Sequence, residues 1–391
     1  MELDILQIFS LLIVFVHLLL AGFLLTMKTK NLVSNILLAT FLLVSAEDSD
    51  SIFIGGYIYP HFPALGMLIN SLVLIKLPLI YLYLLSIVYS DFNLKWKHLL
   101  HALPFLIVNI VLIPRFYGQD FAGQMEYLNS NTLSRRLIEI QLSYILVHTQ
   151  IVVYLIASFL VINRYRRLLL ENFSNANLFN YNWLFQLFAV FTIEAFVASL
   201  KNMFMFLEWE DAYFYSMVGT SLIALFYITW MVFRIMLNPE LFRGIDSKLQ
   251  LVSSMVKEGE EEIINTDPAI NFNRNVNDKI NKLNKYMAEE EPFLDPSLTI
   301  YLLSKQIDIS TKELSLLINH DLNQHFFDFV NSFRIRKAME ILSDPTKKDF
   351  TILEILYDVG FNSKSSFNTA FKKYSGLTPT QYRKKYSKSA A

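Results

Sequence analysis

Ser365, Asn368, Thr369 and Lys372 fall on one face of a helical register, with Ser363 and Lys364 at its start. Phe367, Ala370, Phe371 and Tyr374 share the opposite, apolar face and are expected in a core. Short hydroxyl and amide side chains on an exposed helix can hydrogen-bond base edges. Lys372, Lys373, Arg383, Lys384 and Lys385 are of the kind that neutralises phosphates. From Gly360 onward there are 7 basic residues and no acidic one. Alone, Lys384 and Lys385 would be an ordinary charged C-terminus; the whole constellation points to nucleic acid.

A second set of ionisable residues lies in oily surroundings. Lys76 and Glu194 stand near the centres of long apolar stretches, and His17 and His148 lie at nearly the same depth in theirs. A charge at a bilayer centre costs about 2.5–3.5 kcal/mol, so such groups face neighbouring helices and find partners. Two readings stand. One is a polar sensing pocket at the midplane, with Lys76 and Glu194 as its ion pair and Lys201 and Asn202 extending it outward. The other is a structural pair that fixes helix register. Each histidine alone fits a satisfied interior residue. His98 and His101 are the nearest thing to a metal pair, but they lack an acid neighbour and suit a membrane interface. With no Cys, disulfides, cysteine-bound metals and thiol nucleophiles are excluded. Phosphate-binding glycine loops, nucleophile elbows and His-Glu-x-x-His are absent as well. No enzyme, metal or cofactor is expected.

Composition sets the elements that must carry these residues. The 391 residues are 53% hydrophobic and 18% charged, against about 25% charged in a soluble domain. The expected class is a polytopic membrane protein. Seven apolar stretches precede residue 238: Ile5–Met27, Leu32–Ala46, Leu65–Tyr89, Leu99–Ile113, Ile138–Ile162, Trp183–Leu207 and Tyr213–Leu237. Five are 23–25 residues long, matching a spanning helix. Leu32–Ala46 and Leu99–Ile113 have 15 each and span only with their polar flanks. The first stretch is too long for a signal-peptide core.

With the N-terminus outside, inner loops hold seven basic residues: Lys28, Lys30, Lys95, Lys97, Arg164, Arg166 and Arg167. Outer loops hold three, Arg115, Arg135 and Arg136. That asymmetry favours N-outside, and an odd number of crossings then leaves the C-terminal tail in the cytoplasm. Residues 238–277 form a joint. Asn238-Pro239 stops the last apolar helix, and Leu241, Ile245, Leu249, Val252 and Val256 make the stripe of a signalling or dimerising helix. The acidic run from Glu258 to Glu262 and the Asn-rich stretch after it read as solvated linker.

Order resumes near Asp278. Leu298–Ile307 reads as a helix, Asp308-Ile309 as a tight turn with Asp308 left-handed, and Ser310-Thr311-Lys312-Glu313 as a capping box. In the helix it opens, Thr311–Asn319, Leu314, Leu317 and Ile318 face a core and Lys312, Ser315, Leu316 and Asn319 face outward. Phe326–Leu342 is a longer helix. The pattern then recurs: Ile352–Val359, a turn at Gly360-Phe361, and a helix capped by Ser363 and running to Tyr374. These are two helix-turn-helix units joined by one helix.

Thr351–Tyr386, TILEILYDVGFNSKSSFNTAFKKYSGLTPTQYRKKY, resembles the signature of the AraC/XylS family of bacterial transcription regulators. Leu298–Leu342 resembles that family's first unit and connecting helix. The likeness covers about residues 279–387 and none of the apolar part. It implies two recognition helices entering successive major-groove segments on one face of DNA, with Thr311, Lys312, Ser315, Leu316 and Asn319 on the first. Two positions depart from the pattern. Leu316 replaces a polar or basic residue, and either meets a thymine methyl or leaves this half reading DNA weakly. Leu356 stands where a small residue is usual, as Ser304 is in the first unit.

The expectation is thus an all-α chain: a seven-helix transmembrane bundle (1–237), a linker (238–277) and a cytoplasmic double helix-turn-helix domain (278–391). It would sit in a bacterial inner membrane and couple a membrane or envelope cue to promoter DNA. Its partners would be double-stranded DNA, the bilayer and a ligand or signal. A second copy held through the 241–256 helix and RNA polymerase are partners such a regulator can have. The alternative is a transporter with a regulatory DNA-binding tail, although internal repeats and discontinuous helices are not evident.

Overall fold

The computed structural model describes residues 5–26, 32–49, 54–129, 137–174, 178–237 and 269–386. Among these the chain is helical, apart from one isolated antiparallel bridge. The stripe Leu241–Val256 and the acidic run lie outside the described residues. Two compact units form: Met1–Asn163 with Phe179–Ser247, and Arg164–Leu178 with Lys248–Ala391.

The first unit contains α1 (Ile5–Thr26), α2 (Leu32–Ser49), α3 (Pro63–Val88), α4 (Leu103–Val111), most of α5 (Ile138–Asn172), α6 (Leu178–Phe206) and α7 (Glu210–Leu237). Five of these, α1, α3, α5, α6 and α7, are long and apolar enough to cross a membrane. Leu32–Ala46 and Trp96–Val111 are shorter apolar helices. The expected stretch Leu99–Ile113 is not one regular helix. A 3₁₀ turn, Trp96–Ala102, leads into α4, and a π turn runs on from Ile113 to Tyr117. Pro104 opens α4 and Pro114 opens the π turn, positions where a missing N–H costs nothing.

α1 packs on α2 and α7, and α2 packs on α3. Phe15, Leu160, Phe196 and Phe226 remain more than 60% exposed. Polar side chains inside satisfy backbone. Pro78 sits within α3 and has no N–H to give the carbonyl of Leu74, four residues back. Gln150 of α5 donates its amide to that carbonyl at 3.1 Å.

The second unit adds α8 (Ala269–Glu289), α9 (Ile300–Gln306), α10 (Thr311–Leu316), α11 (Phe326–Ser343), α12 (Ile352–Asp358), α13 (Lys364–Ser375) and α14 (Pro379–Tyr386). It has two cores, and α11 serves both. Phe326, Phe329 and Val330 pack with Leu303, Leu314 and Ile318, whereas Ile335, Ala338 and Leu342 pack with Ile355, Phe367 and Phe371. Leu356 is fully buried in the second core, so the large residue is accommodated.

Both turns are as read from the sequence. Asp308 has φ +55° and Gly360 φ +88°. In each turn the backbone N–H after this residue reaches back five positions, Ile309 to Ser304 O at 3.0 Å and Phe361 to Leu356 O at 2.9 Å. Thr299, Ser310, Thr351 and Ser363 cap α9, α10, α12 and α13. The expected capping box at Ser310 is only half made, because Glu313 pairs instead with Lys279 of α8. A full box occurs at Thr351 and Glu354, where the Ser/Thr-x-x-Glu spacing also stands in the sequence.

Candidate nucleic-acid interface

α13 is positioned from below by Phe367 and Phe371, both 0% exposed, and from its start by Ser363. Ser363 Oγ accepts from the Ser366 backbone N–H at 3.2 Å, so this hydroxyl is spent on the cap. Lys364, Ser365, Thr369 and Lys372 are exposed and Asn368 is half-buried. Asn368, Thr369, Lys372, Lys373 and Thr378 line a shallow recess on this face. Such a surface can offer hydroxyl and amide groups to base edges, with ammonium groups at its margin.

Three residues near α13 behave differently from expectation. Tyr374, assigned to the core, is 40% exposed, and its hydroxyl donates to Asp328 O at 2.7 Å. Burial pushes that phenol up to about 12, with Asp328 adding to the shift. Lys373, assigned to phosphate, donates to Asp328 Oδ1 at 2.6 Å and so ties α13 to α11. Arg383 donates to Phe350 O at 2.7 Å. Lys384 is exposed.

The first unit departs further. The expected helix Thr311–Asn319 is α-helical only to Leu316 and continues as a π turn, Leu317–Asp321. An extra residue per turn rotates the later side chains away from the simple period. Ser315, expected outward, is 3% exposed. Asn319 faces inward: its amide donates to Ser315 O at 3.0 Å, and its Oδ1 accepts from Phe326 N at 3.1 Å, at the start of α11. Thr311 Oγ1 hydrogen-bonds Ser304 Oγ at 2.9 Å and joins α10 to α9. Lys312 is exposed and Leu316 half-buried. Of the five residues expected to read DNA here, Thr311, Ser315 and Asn319 are thus engaged or buried within the domain.

Residues 303–385 match the helix-turn-helix domain family. The uncharacterized transcriptional regulatory protein YesN of Bacillus subtilis is 27% identical over 114 residues, 29% of this chain and 30% of that protein. The melibiose operon regulatory protein of Escherichia coli is 30% identical over 90 residues, 23% of this chain and 29% of that one. Residues 303–385 are an AraC-type helix-turn-helix domain. The chain spans less than a third of the length of either relative. A solved structure, the C-terminal domain of the response regulator yesN from Fusobacterium nucleatum, is 33% identical. It aligns over 27% of this chain and 98% of its own, with a TM-score of 0.23.

Sequence reasoning missed Arg334 in the AraC-type domain. It is 0% exposed on α11, in line with Phe326, Val330, Ala338 and Leu342, all buried at spacings of four. A lone arginine on an apolar stripe was the available signal. Burial lowers its pKa to about 10.

In the apolar unit, Met1–Asn163 with Phe179–Ser247, a cavity of about 410 Å³ is lined by Lys76, Glu194, Lys201 and Asn202 together with Asn70, Tyr154, Phe188 and Phe191. Lys76 Nζ lies 3.8 Å from Glu194 Oε1. His17 and His148 are not among its lining residues. Each has its Nδ1 on the carbonyl four residues back, Ile13 O at 2.8 Å and Tyr144 O at 2.7 Å.

Proposed function

We propose that this chain is a membrane-anchored, sequence-specific transcription regulator whose apolar unit senses a membrane or envelope cue. One observation carries the reading: an AraC-type domain shares a single chain with five helices of membrane-crossing length and composition. A crossing count of seven, which includes α2 and Trp96–Val111, is supported by loop charge. With seven crossings and the N-terminus outside, basic residues divide seven inside against three outside; with five they divide five against five. One of the three outer exceptions, Arg115, lies 3.8 Å from the buried carboxylate of Glu139. In this reading 1–237 is the sensor, 238–277 the linker and 278–391 the DNA-binding domain.

Reporter fusions test this topology. Fusions after Tyr89 and Ile162 are expected to be cytoplasmic, and fusions after Ala46 and Leu207 external. An even number of crossings places the C-terminal domain outside and removes the function with it.

The cavity at Lys76 and Glu194 is the sensory site in this reading. Lys76→Met or Glu194→Leu alone should lower folded yield, since each removes one side of a charge pair held in apolar surroundings. The double change should restore yield. Restored yield with loss of the transcriptional response supports sensing; restored yield with an intact response makes the pair structural. A counterflow assay in proteoliposomes decides against the transporter alternative if no solute exchanges.

A further inference from the structure

The segment Arg164–Leu178 groups with the second unit, although its first residues continue the apolar helix α5, which ends at Asn172. The two residues after that helix are built into the AraC-type domain. Phe173 and Thr299 form the isolated antiparallel bridge, and Ser174 N donates to Leu298 O at 3.1 Å. Ser174 is 0% exposed, as is Arg334 beside it. Arg334 Nη1 donates to Ser174 O at 3.1 Å and Nη2 to Ser174 Oγ at 3.1 Å. Its other hydrogen bonds run from Nε to Phe293 O at 2.6 Å and from Nη2 to Asp295 O at 2.8 Å. Half of this guanidinium's hydrogen bonds therefore end on one residue 160 positions earlier in the chain. Each acceptor is a neutral oxygen, and a buried cation held in this way is sensitive to the loss of any of them.

Arg334 also stands where the two helix-turn-helix units meet. Its guanidinium carbon is 5.6 Å from the ring centroid of Phe361, in the second unit's turn. Phe293 O, which it holds, is the carbonyl against which Gly360 packs. On the other side of the bridge, Thr299 is the N-cap of α9, the first helix of the first helix-turn-helix unit. One dipeptide thus contacts the cap of one unit and the residue that clamps both.

We propose that Phe173–Ser174 is a docking strap. Seated on Thr299 and Arg334, it holds the two helix-turn-helix units in the spacing that suits both major-groove segments; a movement of α5 withdraws it. The proposal rests on the DNA-binding reading above and gives α5 a route to the recognition helices separate from the 238–277 joint. Withdrawal removes two of Arg334's acceptors, and the two units lose a common support. The recognition helices then engage DNA without preorganisation, and affinity falls.

The absence of cysteine makes a direct test available. Because Ser174 N bonds Leu298 O, Phe173 and Thr299 form a non-hydrogen-bonded antiparallel pair. Such pairs have Cα atoms about 4.5 Å apart, within disulfide reach. The full chain carrying Phe173→Cys with Thr299→Cys, in nanodiscs, is compared oxidised and reduced on a duplex that the wild-type chain selects from random sequence. Oxidation is expected to cross-link the chain and to tighten binding at least tenfold over the reduced form, with no effect of reductant on the wild type. Inserting five base pairs between the half-sites should abolish the difference, since one recognition helix then faces away. Cysteines that fail to cross-link, or a cross-linked chain that binds equally or more weakly, overturn the strap. A wild-type chain that selects no sequence overturns the DNA-binding reading itself.

Discussion

Gly360→Ala is expected to unfold the second helix-turn-helix unit, and Gly376→Ala to leave it folded. Both glycines have positive φ, +88° and +74°. They differ in what a methyl group would meet. At Gly376 nothing lies within 4 Å, so only the backbone preference is lost, at a cost of about 1 kcal/mol. At Gly360 a Cβ would stand 2.6 Å from Phe293 O and 2.7 Å from Leu294 O. Both are backbone atoms, and Phe293 O is also held by Arg334 at 2.6 Å, so neither can swing aside. Backbone strain of about 1–3 kcal/mol then adds to overpacking of about 1–3 kcal/mol. The sum is a large part of the roughly 5–15 kcal/mol that stabilises a domain. Hydrogen exchange over Ile352–Tyr386 in the two variants checks this. Equal protection would show that the close approach to Phe293 is not rigid.

The second large effect is that of salt. Five exposed lysines with no acidic partner among the described residues, Lys312, Lys364, Lys372, Lys384 and Lys385, lie on the proposed DNA side or on α14. Lys373 is engaged by Asp328, and Arg383 is engaged by Phe350 O. If five phosphates are neutralised, affinity should fall with a log–log slope of about −4.5, or roughly 500-fold between 50 and 200 mM salt. Lys384→Ala should reduce that slope by about one and weaken all sequences alike. Ser365→Ala or Asn368→Ala should leave the slope and cost about 1–3 kcal/mol at single base positions. Titrations by fluorescence anisotropy at several salt concentrations separate the two kinds of variant. A flat salt response would remove the phosphate contacts from the account.

The elements governed by local rules were legible in the sequence. Asp308 in the left-handed turn, the caps at Ser310 and Ser363, and the buried set Leu314, Leu317, Ile318, Phe367 and Phe371 are set by capping chemistry and helical period. The features that stayed hidden depend on non-local partners or on a change of period. The π turn at Leu317–Asp321 carries no composition signal, and it turned Asn319 inward; Ser315, in the regular helix before it, is buried by its packing. Lys373 looks free in sequence because Asp328 stands 45 residues earlier. Tyr374 shares the apolar face of α13 in projection, yet its hydroxyl has a carbonyl of α11 within reach and holds the ring at the edge. The docking of Ser174 on Arg334 joins parts of the chain that composition assigns to different domains.

The most direct test of the central claim is a hydroxyl-radical footprint of the full chain in nanodiscs on a duplex it selects from random sequence. α11, with 18 residues, is about 27 Å long, compatible with two recognition helices in major-groove segments about 34 Å apart. The predicted footprint is two protected patches one helical turn apart on one face of the duplex, and the patch under α13 should tolerate fewer base changes than the patch under α10. Uniform protection of selected and random duplexes, or a chain that protects none, would contradict the reading of this protein as a membrane-anchored transcription regulator.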